Sequence, residues 1–86
     1  MEKIYLVESE LVVGCEYLRS ACAAYKSYMS AKRLFEREKA DYVNDMVVKR
    51  GWLQTCGSET SFDCFEEGYY SENHATVTIR EIELLD

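Results

Sequence analysis

The hydrophobic period of this chain changes at Gly51, and that change restricts the fold more than any other feature. Ahead of it, apolar residues recur at helical spacing. At about 100° per residue, Tyr17, Leu18, Ala21, Cys22, Ala24, Tyr25, Tyr28, Met29, Ala31 and Phe35 share one half of a cylinder. Glu16, Arg19, Lys26, Arg33 and Arg37 fall at its border or on the other half. The same phase resumes at Tyr42, Val43, Met46 and Val47, after Lys32, Glu36 and Lys39 have interrupted the apolar stripe. Lys49-Arg50-Gly51 reads as a helix stop, with cations beside the negative end of the dipole and then a glycine at the cap. One helix from Cys15 to Arg50 would be ~54 Å long, whereas a domain of this size has a radius of gyration near ~12 Å. A break near Lys39-Ala40-Asp41 is therefore expected, with a projecting helix as the alternative.

After Gly51 the alternation is that of strands. Trp52 to Cys56 and Ser61 to Glu66 read as a hairpin around Gly57-Ser58-Glu59, with Phe62 and Cys64 on one face and Trp52 as a buried anchor. Gly68 to His74 is a polar, tyrosine-rich loop, and Ala75 to Leu84 a long strand. In that strand Val77/Ile79 and Ile82/Leu84 are out of phase across Arg80-Glu81, which implies a bulge or a change of the covered face. At the other end of the chain, Lys3 to Glu8 is apolar on both faces (Ile4 and Leu6 against Tyr5 and Val7), as an interior strand should be. The order is strand, helical block, three strands. It predicts a two-layer α+β fold, a small, mainly antiparallel sheet packed by an N-terminal helical block, in one domain spanning residues 1–86.

Several classes of function lose support at this level. Met1-Glu2-Lys3-Ile4-Tyr5 lacks the basic start, apolar run and cleavage site of a signal peptide, and no apolar run approaches the ~20 residues that span a bilayer. A cytoplasmic protein with no membrane partner is expected. Cys15, Cys22, Cys56 and Cys64 are read as reduced, mostly buried thiols. On a helix Cys15 and Cys22 would lie ~10 Å apart, too far to bridge, and the cysteine gaps do not match the short hooks of zinc sites. His74 is the only histidine, and neither Cys56, Cys64 nor Ser71 stands in a recognisable nucleophile motif with it. Glu66 and Glu67 are adjacent, and neighbours on a strand point to opposite faces. No phosphate-binding loop or hydrolase motif occurs. The chain is expected to be non-catalytic, with no cofactor and no metal.

Charge is the informative property. The net charge is −6, yet residues 1–50 hold nine cations against eight acids, while residues 51–86 hold eight acids against Arg80 alone. Gly51 to Ile79 carries five acids and no Lys or Arg. A one-signed surface steers a basic partner and repels nucleic-acid phosphates. The basic residues Lys26, Lys32, Arg33, Arg37 and Lys39 are interleaved with Glu36, Glu38 and Asp41, which suits a salt-bridged surface better than a nucleic-acid stripe. Tyrosines beside carboxylates add contact area at low entropic cost. The expected partner-binding residues are Glu59, Asp63, Glu66, Glu67, Tyr69, Tyr70 and Glu72.

In its size, its acidity and the acid-plus-tyrosine segment Glu59 to Glu72, the chain resembles the small phage-encoded inhibitors of bacterial defence, the anti-CRISPR and anti-restriction proteins. That resemblance implies a cofactor-free phage protein that blocks a nuclease or other defence effector by occupying its basic groove or locking it by direct contact, inside the bacterial host cell. It departs from the most acidic nucleic-acid mimics in its ten basic residues. The alternative expectation is a structural protein that self-associates, as a homodimer, through a long amphipathic helix reaching from Tyr17 to Val47.

Overall fold

In a computed structural model, residues 2–55 and 57–84 are described. They form β1 (Glu2–Val13), β2 (Glu16–Tyr25), α1 (Tyr28–Tyr42) with a π-helical turn over Val43–Val48, β3 (Leu53–Gln54), β4 (Ser61–Phe65) and β5 (His74–Leu84). The strands make one sheet in the order β2-β1-β5-β4-β3, antiparallel throughout. The fold is the expected small α+β architecture, a mainly antiparallel sheet with the helical block on one face. As its doubly apolar sequence required, β1 is interior, flanked by β2 and β5.

The helical reading of residues 16–25 is corrected, because this segment is β2. Gly14 and Cys15 both take positive φ, 61° and 67°, between Val13 and Glu16. Two successive left-handed residues make the tight turn whose twist matches that of a β-hairpin. The backbone therefore reverses at Gly14-Cys15, and β2 pairs back along β1 from Tyr5↔Tyr25 to Val13↔Glu16, with a bulge at Leu18. Ladder pairing with β1 overrides the helix propensity of Ala21, Ala23 and Ala24. The continuous apolar arc from Tyr17 to Val47 consequently does not exist. Cys15 and Cys22 are exposed free thiols on this hairpin instead of buried ones, Cys64 is buried as expected, and Cys56 lies outside the described residues.

Ser27 starts α1, its extended backbone and side-chain oxygen capping Ser30 N–H at 3.3 Å. Ala31, Phe35, Glu38 and Tyr42 are buried at helical spacing, and Met46 extends the row. The helix does not break at Lys39-Asp41. It continues into the π turn, where Lys49 N–H reaches Asn44 C=O at 3.3 Å. The predicted stop follows: Gly51 has φ 73°, and its N–H bonds Val47 C=O at 3.0 Å. That reversal returns Trp52 to the core, only 5% exposed. Phe35 and Tyr42 pack with Val7, Phe62, Cys64, Ala75, Val77 and Ile79.

The phase flip in β5 is a change of face, not a bulge. Its register with β1 is continuous from Glu2↔Leu84 to Val12↔His74, so Ile79 faces α1 while Ile82 pairs with Ile4 on the opposite face. Two polar contacts tie the helix to the β1–β2 side. Ser9 and Tyr42 share a buried hydroxyl–hydroxyl bond of 2.8 Å. Arg19 Nη2 lies 2.6 Å from both carboxylate oxygens of Glu38, and the Glu38 side chain is 5% exposed. Lys32 pairs with Glu36, and Lys49 with Asp45, in the i,i+4 pattern of an ordinary salt-bridged surface.

Removing one partner of a buried ion pair leaves a desolvated charge, whereas replacing both partners with apolar residues can be near neutral. Arg19→Ala is expected to cost roughly 2–3 kcal/mol, below the range for fully buried pairs because the Arg19 side chain is 44% exposed. Arg19→Met combined with Glu38→Leu should cost less than half as much. Urea unfolding midpoints at constant m-value measure both.

Candidate partner-binding face

The side of the sheet opposite α1 has no helix over it. Strand alternation and register assign its residues. Running across the sheet, Ala24, Leu6 and Arg80 form one row, then Cys22, Glu8, Thr78 and Ser61, then Ser20, Glu10, Thr76 and Asp63, then Tyr17, Val12, His74 and Phe65. Threonines and carboxylates occupy its centre because water, not a second layer, covers them. At ~4.8 Å between strands, Glu10 and Asp63 stand ~10 Å apart with Thr76 between them. A polar slot of about 170 Å³ runs beside Glu8, Glu10, Ser20, Cys22, Thr76 and Thr78. Arg80 is the only cation among these strand positions, and its Nε is committed to Glu8 at 2.8 Å.

At one end of this face the β4–β5 loop folds on itself. Tyr69 N–H bonds Glu66 C=O at 2.9 Å, Asn73 N–H bonds Tyr69 C=O at 2.8 Å, and Asn73 Nδ2 donates to Glu66 Oε2 at 2.9 Å. The loop also holds the β1–β2 turn, since Cys15 N–H reaches Glu72 C=O at 3.1 Å and Gly14 N–H reaches Asn73 Oδ1 at 2.9 Å. Two tyrosines are thereby presented to solvent, Tyr69 at 55% and Tyr70 at 49% exposure. The Tyr70 ring stacks on His74 at 5.2 Å and 9°, leans on Phe65 at 5.2 Å, and its hydroxyl donates to Asp63 Oδ2 at 3.2 Å.

Asp63 is the unusual group of the cluster. Burial pushes its carboxyl above the ordinary range, opposed by the Tyr70 hydrogen bond and by His74. Its Oδ1 is buried and has no hydrogen-bond partner among the described residues. Burial, and then the neighbouring Asp63 charge, raise the Tyr70 hydroxyl as well.

Of the residues expected to bind a partner, the fold gathers Asp63, Glu66, Glu67, Tyr69, Tyr70 and Glu72 at this end of the sheet. Glu66 spends an oxygen on Asn73, while Glu67 is exposed. Glu59 is not with them. It precedes β4 at the opposite end, ~23 Å along an extended strand from Glu66, and its carbonyl accepts from Lys32 Nζ beside α1. Sequence reasoning missed Glu8 and Glu10, which share the central rows with Asp63. Their signal is the alternation of Leu6-Glu8-Glu10 against Val7-Ser9-Leu11, hidden because the apolar pattern of the first strand reads as ending at Glu8.

Cys64 and His74 are not brought together on one face. Cys64 lies on the α1 side, and burial pushes its thiol up to about 11, so it is a neutral core group facing away from His74. The His74 Nδ1 is 2.8 Å from Tyr70 C=O and must donate there. No group of metal-binding side chains occurs among the described residues, and none of the described helices is long and apolar enough to cross a membrane. No protein-family model, no curated protein and no solved structure matches this chain.

The raised Asp63 pKa has a definite sign. The folded state binds that proton more tightly than the unfolded chain does, so Asp63 is neutral in the fold at low pH and opposes folding once pH rises through its folded value. Asp63→Asn should therefore raise the melting temperature at pH 7, and the gain should vanish as pH falls below about 4, the unfolded aspartate value. Melts of both proteins across that range decide it.

Proposed function

We propose that this protein is a non-catalytic inhibitor that binds a basic protein surface, that of a bacterial nucleic-acid-processing or CRISPR defence enzyme, through its open sheet face and the tyrosine loop beside it. The observation that carries the reading is a helix-free face on which Glu8, Glu10 and Asp63 meet a lone, already paired Arg80, next to two exposed tyrosines. Carboxylates there attract a cationic groove over a distance, and tyrosines supply contact area once the surfaces meet.

Asp63 adds specificity to this reading. A carboxylate held half-buried and short of one hydrogen bond destabilises the free protein. An arginine or lysine from the partner would supply the missing donor and offset that penalty only in the complex. Groups that weaken the free fold while strengthening a complex mark binding sites. Phage origin and action inside the host cell belong to the same proposal and rest on the profile of length, acidity and tyrosine content.

The test is binding to a panel of purified CRISPR and restriction nucleases, by calorimetry at several salt concentrations. For the enzyme that is bound, Glu10→Gln, Asp63→Asn, Glu67→Gln and Glu72→Gln combined should weaken affinity by about tenfold or more and flatten its salt dependence. Glu59→Gln, at the far end of the sheet, should do neither. Unchanged affinity and salt slope in the fourfold variant would remove the acidic face from the mechanism.

A further inference from the structure

Beside the first turn of α1, on the side of the sheet that carries the helix, lies a hollow of about 350 Å³ lined by Tyr5, Tyr28, Thr60, Ile79 and Glu81. Register and alternation bring these residues together. Tyr5 stands opposite Glu81, and Val7 opposite Ile79 one step inward, so Tyr5, Ile79 and Glu81 share the face under α1. Tyr28 is the first residue of α1. Thr60 immediately precedes β4, and its carbonyl accepts from Ile79 N–H at 2.8 Å. Buried Ile79 is the floor, the two tyrosines are half-buried walls, and Glu81 stands exposed at the rim.

The Tyr5 and Tyr28 rings meet edge to face, with centroids 5.4 Å apart and planes at 73°. The re-entrant corner of such a T exposes one π face of each ring, and two π faces beside a carboxylate attract a cation. The chain does not fill the corner itself. Among the described residues, the cations lying over aromatic rings are Arg19 on Tyr42 and Lys32 on Phe35. Lys32 is engaged by Glu36 and by the Glu59 carbonyl. Lys3 meets Glu81 at 3.4 Å without lining the hollow, and Glu83 stands opposite Lys3 on the same face, so two carboxylates share one ammonium at the rim. The kind of cation follows from the acceptors. A primary ammonium or a guanidinium brings three or more N–H donors. Glu81 is the single carboxylate of the lining and already serves Lys3, while the Thr60 hydroxyl is 3.3 Å from that of Ser58. A trimethylammonium group has no N–H to satisfy, and its charge is carried on methyl groups that pack against ring faces. We propose that the Tyr5–Tyr28 corner binds a small trimethylammonium compound such as choline, with Glu81 as its counter-charge. This inference stands apart from the proposed inhibitory activity, because the hollow lies on the opposite side of the sheet from Glu10 and Asp63.

Titration with choline chloride at constant ionic strength, followed by backbone amide NMR shifts, provides the test. Choline should give saturable shifts centred on Tyr5, Tyr28 and Glu81, with a midpoint on the order of 10 mM for two partly exposed rings. Its uncharged analogue, in which a tert-butyl group replaces the trimethylammonium, should bind about tenfold more weakly, since shape is kept and the cation–π attraction is lost. Ethylammonium should also bind more weakly than choline. Tyr28→Leu should weaken choline by about tenfold, whereas Tyr28→Phe should stay within about twofold of the native chain. Lys3→Gln, which frees Glu81, should strengthen choline binding by about threefold. Circular dichroism confirms that each variant is folded, and the comparison of choline with its analogue uses the native chain, so it decides even where a variant does not fold. Absence of saturable shifts at these residues overturns the proposal. So does an analogue that binds as tightly as choline, which would make the hollow a merely apolar one, or a folded Tyr28→Leu variant that binds choline as the native chain does.

Discussion

One fifteen-residue helix has to seal one face of a five-stranded sheet. At 1.5 Å per residue α1 is ~22 Å long, while the molecule is 45 Å in its longest dimension. The helix therefore sits over the middle of the sheet, where Phe35 and Tyr42 meet Val7, Val77 and Cys64, and Met46 of the π turn and Trp52 extend that cover. Every distinctive feature of the surface descends from that shortage of cover. The centre of the opposite face is threonine and carboxylate because no second layer covers it, and Val12, at the loop end, is the buried apolar residue of that face. Along β2, Ser20 to Ala24 are small residues that fill little of the space beneath α1, while Arg19 reaches Glu38 and Tyr25 packs on the core. A groove remains between that edge and the helix for the same reason.

Where apolar cover runs out, polar contacts hold the layers together. Burying a charge and two hydroxyls gains little net free energy, since desolvation offsets most of the attraction. Their effect is on geometry. Arg19 comes from the fourth residue of β2 and Glu38 from the C-terminal half of α1, and their two short contacts hold the β1–β2 hairpin against the helix. Ser9 and Tyr42 pin the same seam from β1, and the Arg19 guanidinium also lies 5.9 Å from the centre of the Tyr42 ring. A slip of β2 by one residue would turn Arg19 to the opposite face and leave Glu38 uncompensated. Register is thus enforced by a charge in a strand whose own side chains are too small to enforce it.

That same smallness explains how much of the fold the sequence displayed. Elements with an unequivocal pattern were legible: the doubly apolar Ile4 to Val7, the buried row Ala31-Phe35, the stop at Gly51, the alternation of Ala75, Val77 and Ile79. Residues 16–25 were not. Ala21, Cys22, Ala24 and Tyr25 fit a helical stripe, and alanine on both faces of a strand gives no alternation to contradict it. The deciding element was the Gly14-Cys15 turn, and a cysteine at positive φ is not among the residues that advertise such a turn. What fixed β2 was pairing with β1, a long-range contact no local window contains. The candidate site was half legible for the same reason. Its loop acids and tyrosines are contiguous in sequence, whereas Glu8 and Glu10 join Asp63 only through β1–β5 pairing.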